Sequence, residues 1–483
     1  MSPIRWIRLA PLLGLLACGG DDARPADDGD TLGAELEVDS SEVEPVTLDT
    51  DEPETGPDTV QPDGADTDGG PSTWEERFEA VIPSTGVVPV ELELGPGVWR
   101  EILETWVEQG IKVERRAVIA AGPLTHPAVG VRLKGGNSLV IGEGPDGVVL
   151  SGKYPLKLDF NSQGGERLHG VDELGLNSSL QDPSFVREWL ASAMFRAMDV
   201  EAAKVGFADV TITTGEESYH AGVQPLVQVI DKRFLKHVFG EDGGADDGNL
   251  YKCTYNQFGA CSLQWLGDSI ADYVRDTGCA RGEDRCGLVL QTNEDDPALN
   301  DYRDVLALIG VLAETDPEVL QERLPEVFDV DHFLRLAAVN LAIANFDSYF
   351  GRGHNHYLYR RADGRFQMIP WDFDLSYARG CTDTFENPSC GDPDSHRLVT
   401  RILSVPAWRD RYFEYVCEVG QTLMTPEVHR GWLTELEARL REHLETDENA
   451  DIEAFERELD LETGVLIEFV SFQHTMLLGA CDR

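Results

Sequence analysis

The residues whose types and spacing point most directly to chemistry are Asn345-Phe346-Asp347, then Asn355, then Pro370-Trp371-Asp372-Phe373-Asp374. Phe333, Leu336, Ala337, Leu341 and Ala344 recur at helical spacing and predict a helix over 331–346. Tyr357-Leu358-Tyr359 and Phe366-Gln367-Met368-Ile369 flank Asp363-Gly364, a hairpin signal. Asp347 therefore falls at a helix end, and Asp372 and Asp374 fall just past a strand end, with a short hairpin to bring the two together. Carboxylates placed this way commonly converge on a cation. Phosphoryl transfer asks for the same inventory: a carboxylate to accept the hydroxyl proton, an Asn and an Asp to hold metal on the phosphates, and a lysine from a β-rich region. Lys157, Asp347, Asn355 and Asp372 supply it in that order. The plainer reading of Asp and Asn at loop starts is caps and turns.

Two other metal readings arise from the same text. His354 and His356 bracket Asn355 and, as alternate strand residues, would share a face that with Asp347 and Asp372 suits zinc or manganese; packing histidines are the competing reading. Asp242, Asp246 and Asp247 have a calcium-like composition but lack EF-hand spacing, and read as a solvated loop.

The elements that must position these residues divide the chain by type. A helix is expected over 98–109, and 130–160 reads as β-rich, with Leu156, Leu158 and Phe160 facing the core and Lys157 and Asp159 the other side. Arg132 and Lys134 alternate with Val131 and Leu133 and read first as a solvated strand face, with reach to phosphates as the second reading. Asp182-Pro183 looks like a helix start, an N-cap acid followed by proline, ahead of the apolar stripe Phe185, Trp189, Ala193. Strands are expected over 207–213 and 223–230, helices from about 304, and two or three amphipathic helices from Pro406 onward. This order, β-rich then helical, is that of an α+β fold with a small β lobe on a larger α lobe and a cleft between.

The first residues read as an export signal: Arg5 and Arg8, the apolar run 9–16, then Leu15-Leu16-Ala17-Cys18. That run is too short to span a bilayer, which takes about 20 residues. The ending resembles a bacterial lipobox, so residues 1–17 read as a lipoprotein signal peptide and Cys18 as the lipidated first mature residue; a plain signal peptide or a buried apolar N-terminus is the alternative. Residues 19–73 carry eighteen Asp and Glu against Arg24 alone and cannot bury enough apolar surface to order, so 18–73 reads as an acidic tether. The whole chain has a formal charge of −48, which argues against nucleic acid as a partner of the bulk surface and leaves the membrane to the lipid anchor. Beyond Cys18, eight cysteines in an exported chain favour disulfides; proximity suggests Cys253 with Cys261, Cys279 with Cys286, Cys381 with Cys390, and elimination pairs Cys417 with Cys481.

Several blocks resemble the spore-coat-protein-H (CotH) family of atypical kinases. They are Gly130-Val131-Arg132-Leu133-Lys134-Gly135, residues 153–160, Leu176-Asn177-Ser178 with Asp182-Pro183-Ser184-Phe185, residues 229–235, and residues 355–374, whose Trp371-Asp372-Phe373-Asp374 after an Asn-x-Tyr-Leu-Tyr hairpin is the most specific. The resemblance covers 74–483 and implies a two-lobed, protein-kinase-like fold, with a β-rich N-lobe over about 74–240 and a mainly helical C-lobe over about 241–483. It implies ATP-dependent transfer of phosphate to Ser/Thr hydroxyls of an unidentified protein, with Mg2+ or Mn2+, in the cell envelope. Carried over by position, Asp347 would be the catalytic base and Asp372 the metal acid, with Asn355 as second ligand. Lys157 would contact the nucleotide phosphates, with Lys153 of the same strand parity as the alternative. Asp374 would either join the metal or cap the next turn. Gln228, three residues before Asp231, stands where the family block carries a glutamate that would pair with the lysine. Glutamine cannot supply that charge, which opens the alternative of a weak or inactive relative serving as a tethered binding module.

Overall fold

The computed structural model describes residues 73–135, 139–145, 147–240, 247–253, 259–269, 272, 288–378, 384–389 and 396–483. The expected signal peptide, the tether, Cys18, Cys279, Cys286, Cys381, Cys390, Asp242 and Asp246 lie outside these residues.

The chain enters through α1 (Trp74–Val81), started by a reciprocal capping box between Thr73 and Glu76. Strand β1 (Val88–Leu94) follows, with strict alternation of buried and exposed residues. After α2 (Val98–Gln109), which has the bounds its apolar spacing predicts, come β2 (Arg115–Ile119), β3 (His126–Leu133), the small hairpin β4 (Glu143–Gly144) and β5 (Gly147–Val148), β6 (Leu156–Asp159) and β7 (Glu173–Leu176). Helix α3 (Arg187–Ala197) leads to β8 (Val205–Thr214) and β9 (Glu217–Gln228). Seven strands close into a barrel in the order β1-β2-β3-β6-β7-β9-β8, antiparallel except for β1 with β8. Val90, Leu92, Val131, Leu133, Leu156, Leu158, Leu174 and Leu176 belong to one apolar core with the buried face of α2.

Beyond α4 (Lys232–Phe239) the chain forms a second sheet, in which β10 (Leu250–Cys253), β11 (Leu288–Leu290), β12 (His356–Arg360) and β13 (Phe366–Pro370) stand in the order β11-β10-β12-β13. Around it pack α5 (Arg303–Leu312), α6 (Pro317–Arg323), α7 (Val330–Ile343), α8 (Arg397–Ser404), α9 (Pro406–Thr422), α10 (Pro426–Glu445), α11 (Ile452–Leu459) and α12 (Val465–Leu478). Four helices follow Val405, where two or three were expected. They share a large apolar core with α7 and α3. A smaller cluster, with Val205 and Val227 from the barrel and Tyr357, Tyr359 and Ile369 from the second sheet, joins the outer face of β8 and β9 to β12 and β13.

Helix α3 begins later than Asp182-Pro183 suggests. Its N-cap is Val186, which offers no side-chain acceptor. Asp182 still serves the helix start, because its carboxylate accepts the backbone N–H of Arg187 at 2.9 Å and that of Ser184 at 2.9 Å. The proline therefore sits in the turn before the helix. Phe185, in a left-handed conformation at φ 62°, turns the chain into it.

Of the proposed disulfides, Cys253–Cys261 and Cys417–Cys481 are formed. Among the described residues, no helix is long and apolar enough to cross a membrane.

Candidate active site

Residues 345–355 and 370–374 are brought together by the β12–β13 hairpin. His356 pairs with Pro370 in register, and the Trp371 N–H donates to the Asn355 carbonyl at 3.2 Å, one step beyond the ladder. Helix α7 ends in a left-handed Ala344, and the Asn345 side chain accepts the Asp347 N–H at 3.2 Å, which turns Asp347 back toward the hairpin. Asn355 donates from Nδ2 to the Asp347 carbonyl at 2.8 Å and to its Oδ2 at 3.2 Å, while the other carboxylate oxygen lies 3.1 Å from His354 Nε2. Asn355 at φ 54° and Asp372 at φ 62° both occupy the left-handed region. Such strain in non-glycine residues persists only where the surroundings over-determine it. Asp347, Asn355 and Asp372 are thus assembled as their spacing predicts, and the Asp347 charge acts on Asp372.

The lysine facing these acids is Lys134. Arg132 pairs with Lys157 across β3 and β6, and Lys157 with Gly175 across β6 and β7, so Lys134, two residues past Arg132, rises on the same outer face. Its side chain runs over Gly175, where a Cβ would stand 3.0 Å from Lys134 Nζ, and it donates to Asn177 Oδ1 at 2.5 Å. The ammonium also sits 5.6 Å from the centre of the Trp371 ring. Burial lowers the Lys134 pKa, while the charges of Asp372 and Glu188 raise it.

Lys157, the lysine expected there, is held instead by Glu173 at 2.7 Å, two residues before Gly175 on β7. Lys153 is paired at 2.7 Å with the buried Asp447 near the end of α10. Arg132 lies near enough to Lys134 to depress its pKa, and its Nη1 donates to the Leu133 carbonyl at 3.4 Å. Asp231 caps α4 by accepting the Phe234 N–H at 2.8 Å, and burial pushes its pKa up to about 6. Gln228 ends β9 in register with Leu174 and accepts the Lys204 N–H, so it is not the partner of Lys134.

A buried acid that sequence reasoning passed over, Glu188, acts on the Lys134 ammonium through its charge. It lies on α3 at 3% exposure and accepts the Phe373 N–H at 3.0 Å, tying α3 to the Asp372 segment. Burial and then the Asp372 charge push Glu188 up to about 8. Asp374, the other acid of the segment, is pushed up to about 9 by burial and by the charges of Asp372, Glu188, Asp182 and Asp347. Burial also raises Asp372, which Lys134 opposes and Asp347 reinforces. The one signal for Glu188 in the sequence is an Arg-Glu pair at the head of a helix whose next seven residues, Trp189 to Phe195, carry no charge.

The histidines separate. His354 precedes the strand and faces Asp347, whereas His356 is buried with its ring edge-on to Tyr349, and burial lowers its pKa to about 4. Only His354 lies with the acids, so the two histidines do not share a face there. Among the described residues, no three His, Cys, Asp or Glu side chains form a ready-made metal cage. The donor set is of another kind: Asp372, Asp374 and Asn355 around mutually repelling, raised carboxylates. It fits a hard cation of the magnesium type, which keeps one or two protein carboxylates and takes its remaining oxygens from phosphates and water. Asp247, the one described acid of the loop read as calcium-like, is exposed.

Comparison with known proteins follows the same segment. Residues 134–477 match the family described as CotH kinase protein. The chain is 26% identical over 304 residues to the inner spore coat protein H of Bacillus subtilis (strain 168), covering 60% of this chain and 75% of that protein. Among solved structures, a complex of the Shewanella oneidensis MR-1 toxin–antitoxin proteins HipA and HipB with operator DNA aligns at TM-score 0.26 and 12% identity, over 80% of this chain and 70% of that one.

Proposed function

Because this chain belongs to the CotH kinase protein family, we propose that it is an atypical kinase transferring the terminal phosphoryl group of ATP to Ser/Thr hydroxyls of a protein. The observation that carries this reading is the geometry at the hairpin: Asn355 holds Asp347 by its carbonyl and carboxylate and the Trp371 N–H by its own carbonyl, Glu188 accepts the Phe373 N–H next to Asp372, and the Lys134 ammonium sits over Trp371. In this reading the barrel is the β-rich lobe, the helices and second sheet form the other lobe, and the site lies at their seam. Lys134, held by Asn177, binds the nucleotide phosphates, and Glu188 is the buried acid whose charge acts on its ammonium, in the role of the glutamate that a kinase sets against its lysine. Asp372 and Asn355, with Asp374, hold the divalent cation, which when bound would neutralise charge on the phosphates. Asp347 accepts the proton of the attacking hydroxyl, with its carboxylate aimed by Asn355 and His354.

The alternative of a weak or inactive binding module drew on Gln228 and the acidic tether; Gln228 accepts the Lys204 N–H rather than facing a site lysine, which weakens the first motive and leaves the second. The N-terminal reading stands as part of the proposal: lipidation at Cys18, an acidic tether, and a kinase body held at the cell envelope. The test is transfer from labelled ATP with Mg2+ or Mn2+ to the protein itself or an added protein. Asp372→Ala is expected to abolish labelling, and labelling at the wild-type level would overturn the assignment. Mass analysis of the product separates phosphate from AMP transfer by the same fold.

A further inference from the structure

Beside Asp347 stands a cation to which the assignment above gives no part. Between α7 and β12 the chain rolls into a tight turn, in which the N–H groups of Gly351, Arg352 and Gly353 donate to the Ser348 carbonyl at 3.2, 3.0 and 3.0 Å. Ser348 is buried, and its hydroxyl donates to the Asn345 carbonyl at 2.7 Å, just past α7. Gly351 permits the turn, since a Cβ there would stand 1.8 Å from the Phe346 carbonyl oxygen, and Gly353 leaves it at φ 74°. The backbone of Arg352 is thus fixed, while its side chain is 50% exposed and its guanidinium lies 5.6 Å from the centre of the Phe346 ring.

The guanidinium faces Asp347 without being spent on it. Its Nε lies 3.6 Å from Asp347 Oδ1, an ion pair longer than a hydrogen bond. Both carboxylate oxygens have closer partners, His354 Nε2 at 3.1 Å on Oδ1 and Asn355 Nδ2 at 3.2 Å on Oδ2. Aiming the base therefore does not require Arg352, and an ion pair this exposed stabilises a fold little. A base in hydrogen-bond reach of the attacking hydroxyl puts that oxygen about 3 Å from Asp347, with the phosphorus about 3–3.5 Å further on. A cation 3.6 Å from the same carboxylate is then within a side chain's reach of the group in transit.

We propose that Arg352 is a catalytic residue whose guanidinium holds the phosphoryl group as it passes from ATP to the acceptor, an assignment that rests on the kinase reading above. The acceptor oxygen bonds to the γ-phosphorus while the bond from that phosphorus to the β–γ bridging oxygen breaks. ADP leaves with the electron pair, and the hydroxyl proton goes to Asp347. Charge on the equatorial oxygens meets the planar fork of Arg352, which suits a pair of phosphate oxygens. Protonation of Asp347 removes the carboxylate charge that competes for the guanidinium, so the contact tightens as transfer proceeds. An interaction stronger in the transition state than in the ground state acts on kcat more than on nucleotide affinity.

The test compares the full-length protein with its Arg352→Ala and Arg352→Lys variants, by the initial rate of self-labelling at saturating γ-labelled ATP with Mg2+ and by calorimetry with a non-hydrolysable ATP analogue. Arg352→Ala is expected to label about 10²–10³-fold more slowly while the analogue's Kd changes by less than about threefold, and Arg352→Lys is expected to recover part of the rate. Millimolar guanidinium ion is expected to restore labelling to Arg352→Ala and not to Asp372→Ala, a rescue that a merely structural arginine does not give. Labelling by Arg352→Ala at the wild-type rate overturns this assignment alone, provided that Asp372→Ala is silent. A rate lost without rescue, or lost only in proportion to analogue affinity, also overturns it. Wild-type protein that transfers nothing overturns the kinase reading, and the role of Arg352 with it.

Discussion

Replacing Lys134 by methionine keeps the aliphatic stem over Gly175 and removes only the ammonium that faces Asp372 and Glu188. If that ammonium binds the nucleotide, phosphoryl transfer falls by about 10²–10³-fold, the usual effect of deleting one preorganised electrostatic contact. Lys157→Met makes the opposite pattern. Labelling stays at the wild-type level, but Glu173, at 11% side-chain exposure, loses its 2.7 Å partner, and the protein loses about 1–3 kcal/mol in denaturant melts. Loss of transfer in the Lys157 variant with retention in the Lys134 variant would reverse the assignment. The two lysines are indistinguishable by alternation alone, because both lie on the outer face of adjacent strands. What separates them is which residue each meets on β7, Glu173 or the open space over Gly175, and that pairing is set by strands far apart in the sequence.

At the scale of elements, Gly175 makes room for the site. Its backbone is ordinary, so its role is the absence of a side chain beneath Lys134. Gly175→Ala should raise the KM for ATP modestly and Gly175→Val more strongly, with circular dichroism unchanged; equal KM values across the series would show that Lys134 does not need this path. Local pattern carried much of the architecture. The spacing over 98–109 matches α2, and Asp363-Gly364 sits in the loop between β12 and β13, which carries Asp347, Asn355 and Asp372 to one place. Cys253–Cys261 and Cys417–Cys481 were likewise readable from spacing and elimination. Closure of seven strands into a barrel was not legible, since β1 pairs in parallel with β8 across more than a hundred residues. Glu188 was hidden for a related reason: a charge in an apolar helix reads as a solvated position until the segment it receives, Phe373, is seen beside it.

For the molecule as a whole, the crowded acids set a dependence on pH. Glu188 and Asp374 titrate near 8 and 9 in the folded protein, above the ordinary range near 4 that they regain on unfolding. Between those values the folded state binds more protons than the unfolded one, so stability falls as pH rises. In EDTA, the melting temperature of wild type relative to Asp374→Asn should therefore decline from about pH 5 to 9. Added Mg2+ should raise the wild-type value more at the alkaline end, where a cation can replace the departed protons. A flat difference across that range would remove these groups from the account.

The barrel is also clasped by the far end of the chain. Arg187 at the start of α3 reaches Glu458 at 3.0 Å, Lys153 reaches Asp447 at 2.7 Å, and Asp447 also receives the Val223 N–H at 3.0 Å. Gly222, at φ 86°, leaves that carboxylate its space, since a Cβ there would meet it at 2.1 Å. A polypeptide still emerging from the ribosome lacks these clasps until α10 and α11 have been made, and until then α3 is held by its other contacts alone, the Phe373 N–H on Glu188 among them. Chains cut short before that point are expected to melt well below the intact protein, since Lys153 would be left buried without its carboxylate.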